Sequence, residues 1–284
     1  METIDNTIQE VIRNIFKNWK KFLFQVLFIS LLAVVVSLFF DDYYQSEARL
    51  TAAEVESAPS GSSSFISSLP AGLGTPDLND SIIEAREIIS SRDFFKRLLQ
   101  YKGVYQGLLD PYSYDIDDAE APIKDPSIAL DIEMDTRFYE AMNTFSRALE
   151  FEDVLEYDYF TIRYTHYNPT FCKHILDIII KELNLQKKDK DINEANKAIS
   201  FLTTRILDVS NAEVRGSISR LIESQLKREM IANMRDEYLV SIVDSPALPI
   251  VKAGPKRLLI FLISIISSII VLIPIYAYRQ NRIQ

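Results

Sequence analysis

The sequence predicts an α+β protein in which two transmembrane helices flank one extramembrane domain, with a mixed α/β membrane-proximal base and a long extended helix. Two uncharged apolar runs, residues 22–40 and 258–278, predict the membrane helices. Segments rich in β-formers at residues 43–51 and 159–165 predict strands. A heptad pattern in a stretch nearly free of glycine and proline predicts the long helix.

The two apolar runs have the length of membrane spans. Their 19 and 21 residues would form helices of roughly 29 and 31 Å, which match a hydrocarbon core of about 30 Å. Buried core helices suit shorter runs. A cleaved signal peptide is disfavoured for the first run because bulky Leu38, Phe39 and Phe40 stand where small residues would be needed. We therefore expect an uncleaved anchor at 22–40 and a second transmembrane helix at 257–278.

The average composition does not show that the chain is divided into membrane-spanning and extramembrane segments. A mean hydropathy of +0.01 looks like that of a soluble protein, but a purely cytosolic globular enzyme is disfavoured by the two runs. Between the two flanks, the middle of the chain carries 22 basic and 37 acidic residues, a net charge of −15. This acidic balance argues against a nucleic-acid partner, since phosphates attract basic faces.

The flanking charges predict the orientation. Lys17, Lys20 and Lys21 precede the first run, so we expect the tail of residues 1–21 to stay in the cytoplasm. Two spans return the tail of residues 279–284 to the same side, and residues 41–256 then form one extracytoplasmic domain.

Three basic residues conflict with this orientation. Lys252, Lys256 and Arg257 would stand on the outer side of the membrane, where the positive-inside rule predicts few basic residues. The rule is weaker for long translocated domains, and we keep the orientation as an expectation.

Between the runs, local signals predict a series of elements. In chain order these are a strand at 43–51, a Ser-, Gly- and Pro-rich loop at 57–76, a helix from Asp80 or Ser81 through Leu99, an acidic loop at 110–126, a short helix at 136–149 and a strand at 159–165. Asn168 and Pro169 then predict the start of a helix, with asparagine as N-cap and proline in the first turn.

A heptad seam follows in this helix. Its apolar positions are Ile192, Ala195, Ile199, Leu202, Ile206 and Val209. The spacing slips at 210–213 and resumes at Val214. If residues 170–238 are mostly helical, they would extend on the order of 100 Å. Such a helix must pack against earlier helices or neighbouring subunits, and Ile192, Ile199, Leu202 and Ile206 are the candidate contacts.

Two further groups of residues are candidates for functional roles. Pro246, Pro249 and Pro255 bias the backbone to an extended form, which predicts a stiff strut before the second span, with a plain linker as the alternative. Small residues four apart, at Ala33 and Ser37 and at Ser264 and Ser268, would allow the two spans to pack closely.

The sequence indicates no catalytic, cofactor or metal site. His166 and His174 lie eight apart with Asn168 and Pro169 between them, so they are not a helical ligand pair, and we expect structural or surface histidines. Cys172 is the single cysteine of the chain, which excludes an internal disulfide. We expect it to act as a small apolar residue. The acidic loop lacks the glycine and distal glutamate of an EF-hand.

Several segments resemble the polysaccharide co-polymerase family, specifically the Wzz-type O-antigen chain-length determinants. They are Tyr44 to Ala48, the Gly72 to Gly74 loop, His166 to Pro169, the helix segments 211–215, 221–225 and 231–238, the exit from Val243 to Pro249, and Gly254 to Arg257 directly before the second span. They occur in the family's order over nearly the whole chain.

The resemblance implies a bacterial inner-membrane protein, with both termini cytoplasmic and a periplasmic domain that assembles into a homo-oligomeric ring. It implies regulation of O-antigen length beside the membrane polymerase, with the growing polysaccharide as a further partner and no catalysis or cofactor. The alternatives are a two-span periplasmic sensor, a glycan hydrolase, and a length regulator or exporter component for capsule or enterobacterial antigen. Six residues follow Tyr278, and we expect neither a sensor output module nor a tyrosine kinase domain there.

Overall fold

The computed structural model describes residues 19–53, 78–117, 122–128, 136–154 and 159–281. Within these ranges the chain forms eight helices and four strands. The helices are α1 (Trp19–Ser37), α2 (Leu78–Ile89), α3 (Arg92–Leu98), α4 (Val104–Leu109), α5 (Thr136–Ala148), α6 (Pro169–Asp208), α7 (Ala212–Met234) and α8 (Arg257–Asn281). The strands are β1 (Tyr44–Ala52), β2 (Leu149–Val154), β3 (Tyr159–His166) and β4 (Val240–Asp244).

The chain divides into two units. Residues 1–43 and 251–284 make up one, which we call the hairpin unit, and residues 44–250 make up the other, the α/β unit. The loop expected at 57–76 and residues 118–121 of the acidic loop lie outside the described residues.

In the hairpin unit, α1 and α8 pack along each other. Both helices are long and apolar enough to cross a membrane, and most of their large apolar side chains are exposed. Because exposed apolar surface is unfavourable in water but not in hydrocarbon, this pattern suits a membrane pair. α1 begins at Trp19 and ends at Ser37, so it lies three residues earlier than the expected span of 22–40, and residues 38–40 form a turn.

The α/β unit is built on an antiparallel sheet with strand order β2-β3-β1-β4. The β1 side chains alternate, with Ala48 and Leu50 buried and Glu47 and Arg49 exposed. One face of the sheet therefore joins the core. The other face carries a row of charged side chains, in which Arg163 forms ion pairs with both Glu47 and Glu152.

The first half of α6 packs across the buried face of β1 and β3. It begins as expected, with the Asn168 Oδ1 accepting from the backbone N–H groups of Thr170 at 2.9 Å and Phe171 at 3.1 Å. Phe171, Ile175 and Ile179 are fully buried against the sheet. The helices α2 and α3 pack against α6 as well, and α5 packs against β3.

Residues 170–238 are mostly helical, but they form two helices, so the extension on the order of 100 Å is not formed. α6 has 40 residues, about 60 Å, and ends at Asp208, after which the chain reverses and α7 returns antiparallel along it. Asn211 N-caps α7 by accepting from the N–H of Glu213 at 2.8 Å. The reversal falls where the heptad seam slips, because the capping residue there starts a new helix.

The expected helix from residue 80 to 99 is also corrected. It is two helices, because Ser91 accepts from the N–H of Phe94 at 3.1 Å and starts α3 separately. The short elements α4, β2 and β4 were not predicted. The α+β class, with two membrane-length helices and a long helix, is confirmed.

Candidate functional site

The seam residues lie on α6, the helix along which α7 packs. Ile192, Ile199, Leu202 and Ile206 are each half-buried, and Ala195 is fully buried. Among the elements that the structure describes, α7 is the main neighbour of this half of α6. Much of the seam is therefore used within one chain.

Two polar residues on α6 fasten the end of α7 and the start of β4. The Asn184 Oδ1 accepts from the backbone N–H groups of Tyr238, Leu239 and Val240 at 3.1, 2.8 and 3.0 Å. Its Nδ2 donates to the Val240 carbonyl at 3.0 Å. One amide side chain thus satisfies three donors and one acceptor in the chain that leaves α7.

Asp191, two turns further along α6, also binds this part of the chain. Its carboxylate is buried and accepts from the Arg228 guanidinium at 3.0 Å and the Tyr238 hydroxyl at 2.8 Å. Burial and this carboxylate raise the pKa of Tyr238 above its usual range. Neither Asn184 nor Asp191 was predicted from the sequence, although a polar side chain on the apolar face of a helix is a signal that could have identified them.

Glu182 anchors the chain that follows α3. It is fully buried and accepts from the Tyr101 hydroxyl at 2.8 Å and from the Lys124 ammonium at 2.6 Å. The Arg97 guanidinium lies 3.7 Å from its second oxygen. Because a buried carboxylate is tolerated only when paired and hydrogen-bonded, this cluster holds the described parts of the segment from residue 97 to 124 on α6.

The two histidines are structural, as expected. His166 is buried, its Nε2 lies 3.1 Å from the Gly107 carbonyl, and its Nδ1 accepts from the N–H of Asn168 at 3.1 Å. Burial lowers the pKa of His166 to about 4. The Nδ1 of His174 lies 2.8 Å from the Tyr114 hydroxyl. No group of three or more potential metal-ligating side chains occurs within the described ranges.

Cys172 lies beside these histidines at the start of α6. Its side chain is fully buried, and the thiol is 3.4 Å from the Tyr44 carbonyl oxygen. Burial raises the pKa of the Cys172 thiol to about 12. A thiol that stays protonated at neutral pH is a poor nucleophile, so Cys172 acts as a small apolar core residue.

The proline segment has no helix or strand from residue 245 to 253. Pro246 is buried in the α/β unit and Pro249 is half-buried there, while Pro255 is half-buried in the hairpin unit. The Ser46 hydroxyl donates to the Ala247 carbonyl at 2.8 Å. This bond fixes the first part of the segment to β1.

The four small residues expected to pack the spans lie where α1 and α8 meet. Ser37 and Ser268 are buried, and Ala33 and Ser264 are half-buried, in helices whose other positions are mostly exposed. Ser264 and Ser268 donate to carbonyls one turn back in their own helix, each at 2.8 Å. The hydroxyls of Ser264 and Ser268 are thus satisfied without water, as a hydrocarbon environment requires, whereas the buried Ser37 hydroxyl has no hydrogen-bond partner among the described residues.

At one end of the same hairpin, charged residues and a backbone bridge join the two chain segments. The Asp42 carboxylate accepts from the Lys252 ammonium at 2.9 Å and from the Arg257 guanidinium at 3.0 Å. The hydrogen bond to Lys252 is the main cause of a lowered pKa for Asp42. Two of the three basic residues that conflicted with the expected orientation therefore share an acidic partner.

Comparisons with known proteins agree with the sequence motifs. A family model described as "Chain length determinant protein", Wzz, matches residues 3–101. No curated protein matches the chain.

Two solved structures are similar to this chain at low identity. One is a full-length bacterial polysaccharide co-polymerase, 10% identical, covering 95% of this chain and 96% of its own length, with a TM-score of 0.36. The other is a fragment of WzzB, a polysaccharide co-polymerase from Salmonella Typhimurium, 12% identical, covering 75% of this chain and 100% of its own length, with a TM-score of 0.30. The resemblance to the Wzz family is confirmed by the family model alone, in which residues 3–101 match the chain length determinant proteins.

Proposed function

We propose that this protein regulates the chain length of the O-antigen of lipopolysaccharide, as an oligomeric inner-membrane co-polymerase that works with the membrane polymerase. The observation that carries the proposal is the match of residues 3–101 to the chain length determinant family. The order of elements supports it, because two membrane-length helices precede and follow one α/β unit in the sequence.

The role is that of a regulator rather than a catalyst. The residue types that most often act as nucleophile or general base, Cys172, His166 and His174, are buried and hydrogen-bonded within the core. Their side chains hold the start of α6 against the sheet. In this proposal the protein acts by positioning the polymerase and its growing product.

We place residues 41–256 in the periplasm and both termini in the cytoplasm. The charge pattern before α1 supports this orientation. Of the three basic residues that this orientation puts on the outer side, Lys252 and Arg257 each have Asp42 as an acidic partner.

We further propose that the protein assembles as a homo-oligomeric ring through the α6–α7 hairpin and the sheet-containing base. Ile199, Leu202 and Ile206 are half-buried within the chain, so they would contribute only their remaining exposed surface. Phe201 and Leu207 on α6 are more exposed, at 59% and 80%. Size measurement in detergent should give an oligomer, and a monomer would count against the ring.

A gene deletion separates the alternatives. Loss of a modal lipopolysaccharide band, with short random-length chains remaining, supports an O-antigen regulator. An unchanged lipopolysaccharide ladder with altered capsule or enterobacterial antigen would move the assignment to those polysaccharides. A sensor predicts altered gene expression with no direct effect on length, so complementation under a constitutive promoter must restore the band if the proposal holds.

A further inference from the structure

A small built contact joins the two segments that continue α1 and precede α8. We call it the clasp and define it by Asp42, Tyr43, Lys252, Gly254 and Arg257. The N–H of Tyr43 donates to the Gly254 carbonyl at 3.0 Å, and the N–H of Ala253 donates to the Tyr43 carbonyl at 2.9 Å. These bonds form an isolated antiparallel bridge between residues 43 and 254.

The clasp requires glycine at position 254. A Cβ added there would overlap the hydroxyl and ring carbons of Tyr43. Gly254 is buried, and it is the tyrosine ring that fills the space a side chain would occupy. The ring can therefore lie directly against the backbone of the opposite segment.

The charges of the clasp converge on one carboxylate. Each oxygen of Asp42 accepts from a different cation, Oδ2 from Lys252 at 2.9 Å and Oδ1 from Arg257 at 3.0 Å. The neighbouring Asp41 is exposed, and the described residues offer it no ion pair. Lys256, the third basic residue of the segment, is exposed as well.

One exposed ion pair contributes little to stability. Asp42 differs from that case because its two cations come from different parts of the segment, one before the bridge and one at the first residue of α8. Arg257 begins a helix whose N-terminus favours a nearby carboxylate. Asp42 thus ties the exit of α1 both to the chain before α8 and to α8 itself.

We propose that Asp42 is a positioning residue that holds the adjoining ends of α1 and α8 in one fixed register, as the shared counter-ion of Lys252 and Arg257. The clasp lets basic residues stand at this end of the hairpin without separating the helices. This role does not depend on which polysaccharide the protein serves, or on whether it regulates length at all.

The first test measures closure of the clasp by disulfide formation in the full-length protein in membranes. The native Cys172 is replaced by alanine, and Tyr43→Cys and Gly254→Cys place two thiols at bridged positions. Such partners have Cα atoms about 5 Å apart, within the range of a disulfide. Asp42→Asn should lower the disulfide yield severalfold, Asp41→Asn should not change it, and Asp42→Glu should restore most of it.

Two results would overturn the proposal. Full cross-linking in the Asp42→Asn protein would show that the carboxylate does not hold the segments together. An equal loss in the Asp41→Asn protein would show a general effect of acidic charge near the membrane. Expression of every variant is compared by immunoblot, so that a failure of membrane insertion is scored separately from an open clasp.

A second measurement is made on proteins that keep the native Cys172 and carry no introduced cysteines. Gly254→Ala should lower the thermal unfolding midpoint of the full chain in detergent, because the new methyl group collides with Tyr43. Combining it with Tyr43→Ala should recover part of the loss. A Gly254→Ala protein as stable as the wild type would contradict the close approach on which the clasp depends.

Discussion

At the residue scale, the α/β unit depends on polar side chains buried along two opposite faces of α6. Glu182, Asn184 and Asp191 are each buried, and each binds chain that is distant in sequence. The Asn168 cap was predictable because the two backbone N–H groups that donate to its side chain lie only two and three residues later in the chain. The partners of Asn184 lie 54 to 56 residues away, so no local pattern could reveal them.

Asn184→Ala should destabilise the protein strongly. The change leaves three backbone N–H groups at the start of β4 without their acceptor, and even one unsatisfied buried group costs about 1–3 kcal/mol. We expect a loss of about 3 kcal/mol, measured by chemical unfolding of the full chain in detergent. Asn193→Ala, an exposed asparagine of the same helix, is the matched control and should change stability little.

The buried His166 should make stability depend on pH. Its pKa is about 4 in the folded protein and about 6.5 when unfolded, so the unfolded state binds the extra proton between these values. Stability should therefore be constant above about pH 6.5 with respect to this group and fall as the pH drops towards 4, by up to about 3 kcal/mol.

Replacing His166 isolates this contribution from that of the carboxylates. His166→Gln removes the titrating ring, so its unfolding free energy should fall less steeply between pH 6.5 and 4 than that of the wild type. Equal slopes in the two proteins would show that His166 is not held neutral by burial.

At the scale of elements, capping chemistry decided where the predicted helices break. The heptad pattern predicted mostly helix over residues 170–238 with a slip at 210–213, and the structure ends α6 there. Asn211 caps α7, and the two helices fold onto each other. Ser91 divides the predicted helix of residues 80–99 in the same way. The short elements α4, β2 and β4 were missed because their formation depends on tertiary contacts rather than on local pattern.

Two glycines in helices should respond oppositely to alanine. At Gly216 in α7 an added Cβ meets no atom within 4 Å, so Gly216→Ala should stabilise the chain by about 0.5–1 kcal/mol through helix propensity. At Gly107 in α4 it would lie 2.6 Å from the Phe171 ring, and alanine there should destabilise. Thermal unfolding of both variants checks the pair, and stabilisation by Gly107→Ala would contradict the packing of α4 on α6.

At the scale of the whole molecule, the near-zero mean hydropathy averages two parts of the chain. One part suits hydrocarbon and the other suits water. Splitting the sequence by its uncharged runs predicted both membrane-length helices, since length and hydropathy are local properties. Length and hydropathy did not explain why basic residues stand at positions 252, 256 and 257, on the expected outer side. Only the structure shows Asp42 beside two of them, because that contact joins residues more than two hundred positions apart.

The proposed orientation predicts the result of reporter fusions near residue 150. A reporter active only outside the cytoplasm should be active there, because Lys17, Lys20 and Lys21, just before and in the first turn of α1, keep the N-terminus inside. A reporter that is active only in the cytoplasm serves as the complementary control at the same position. The reverse pattern of activity would contradict a periplasmic α/β unit.

If this protein sets polysaccharide length, as proposed, its effect should appear in the distribution of repeat units per lipopolysaccharide chain. In a deletion strain the distribution should decline steadily from short chains, since termination then occurs at random. Restoring the gene at native level should give a peak at one preferred length. The same random distribution with and without the gene would contradict the account.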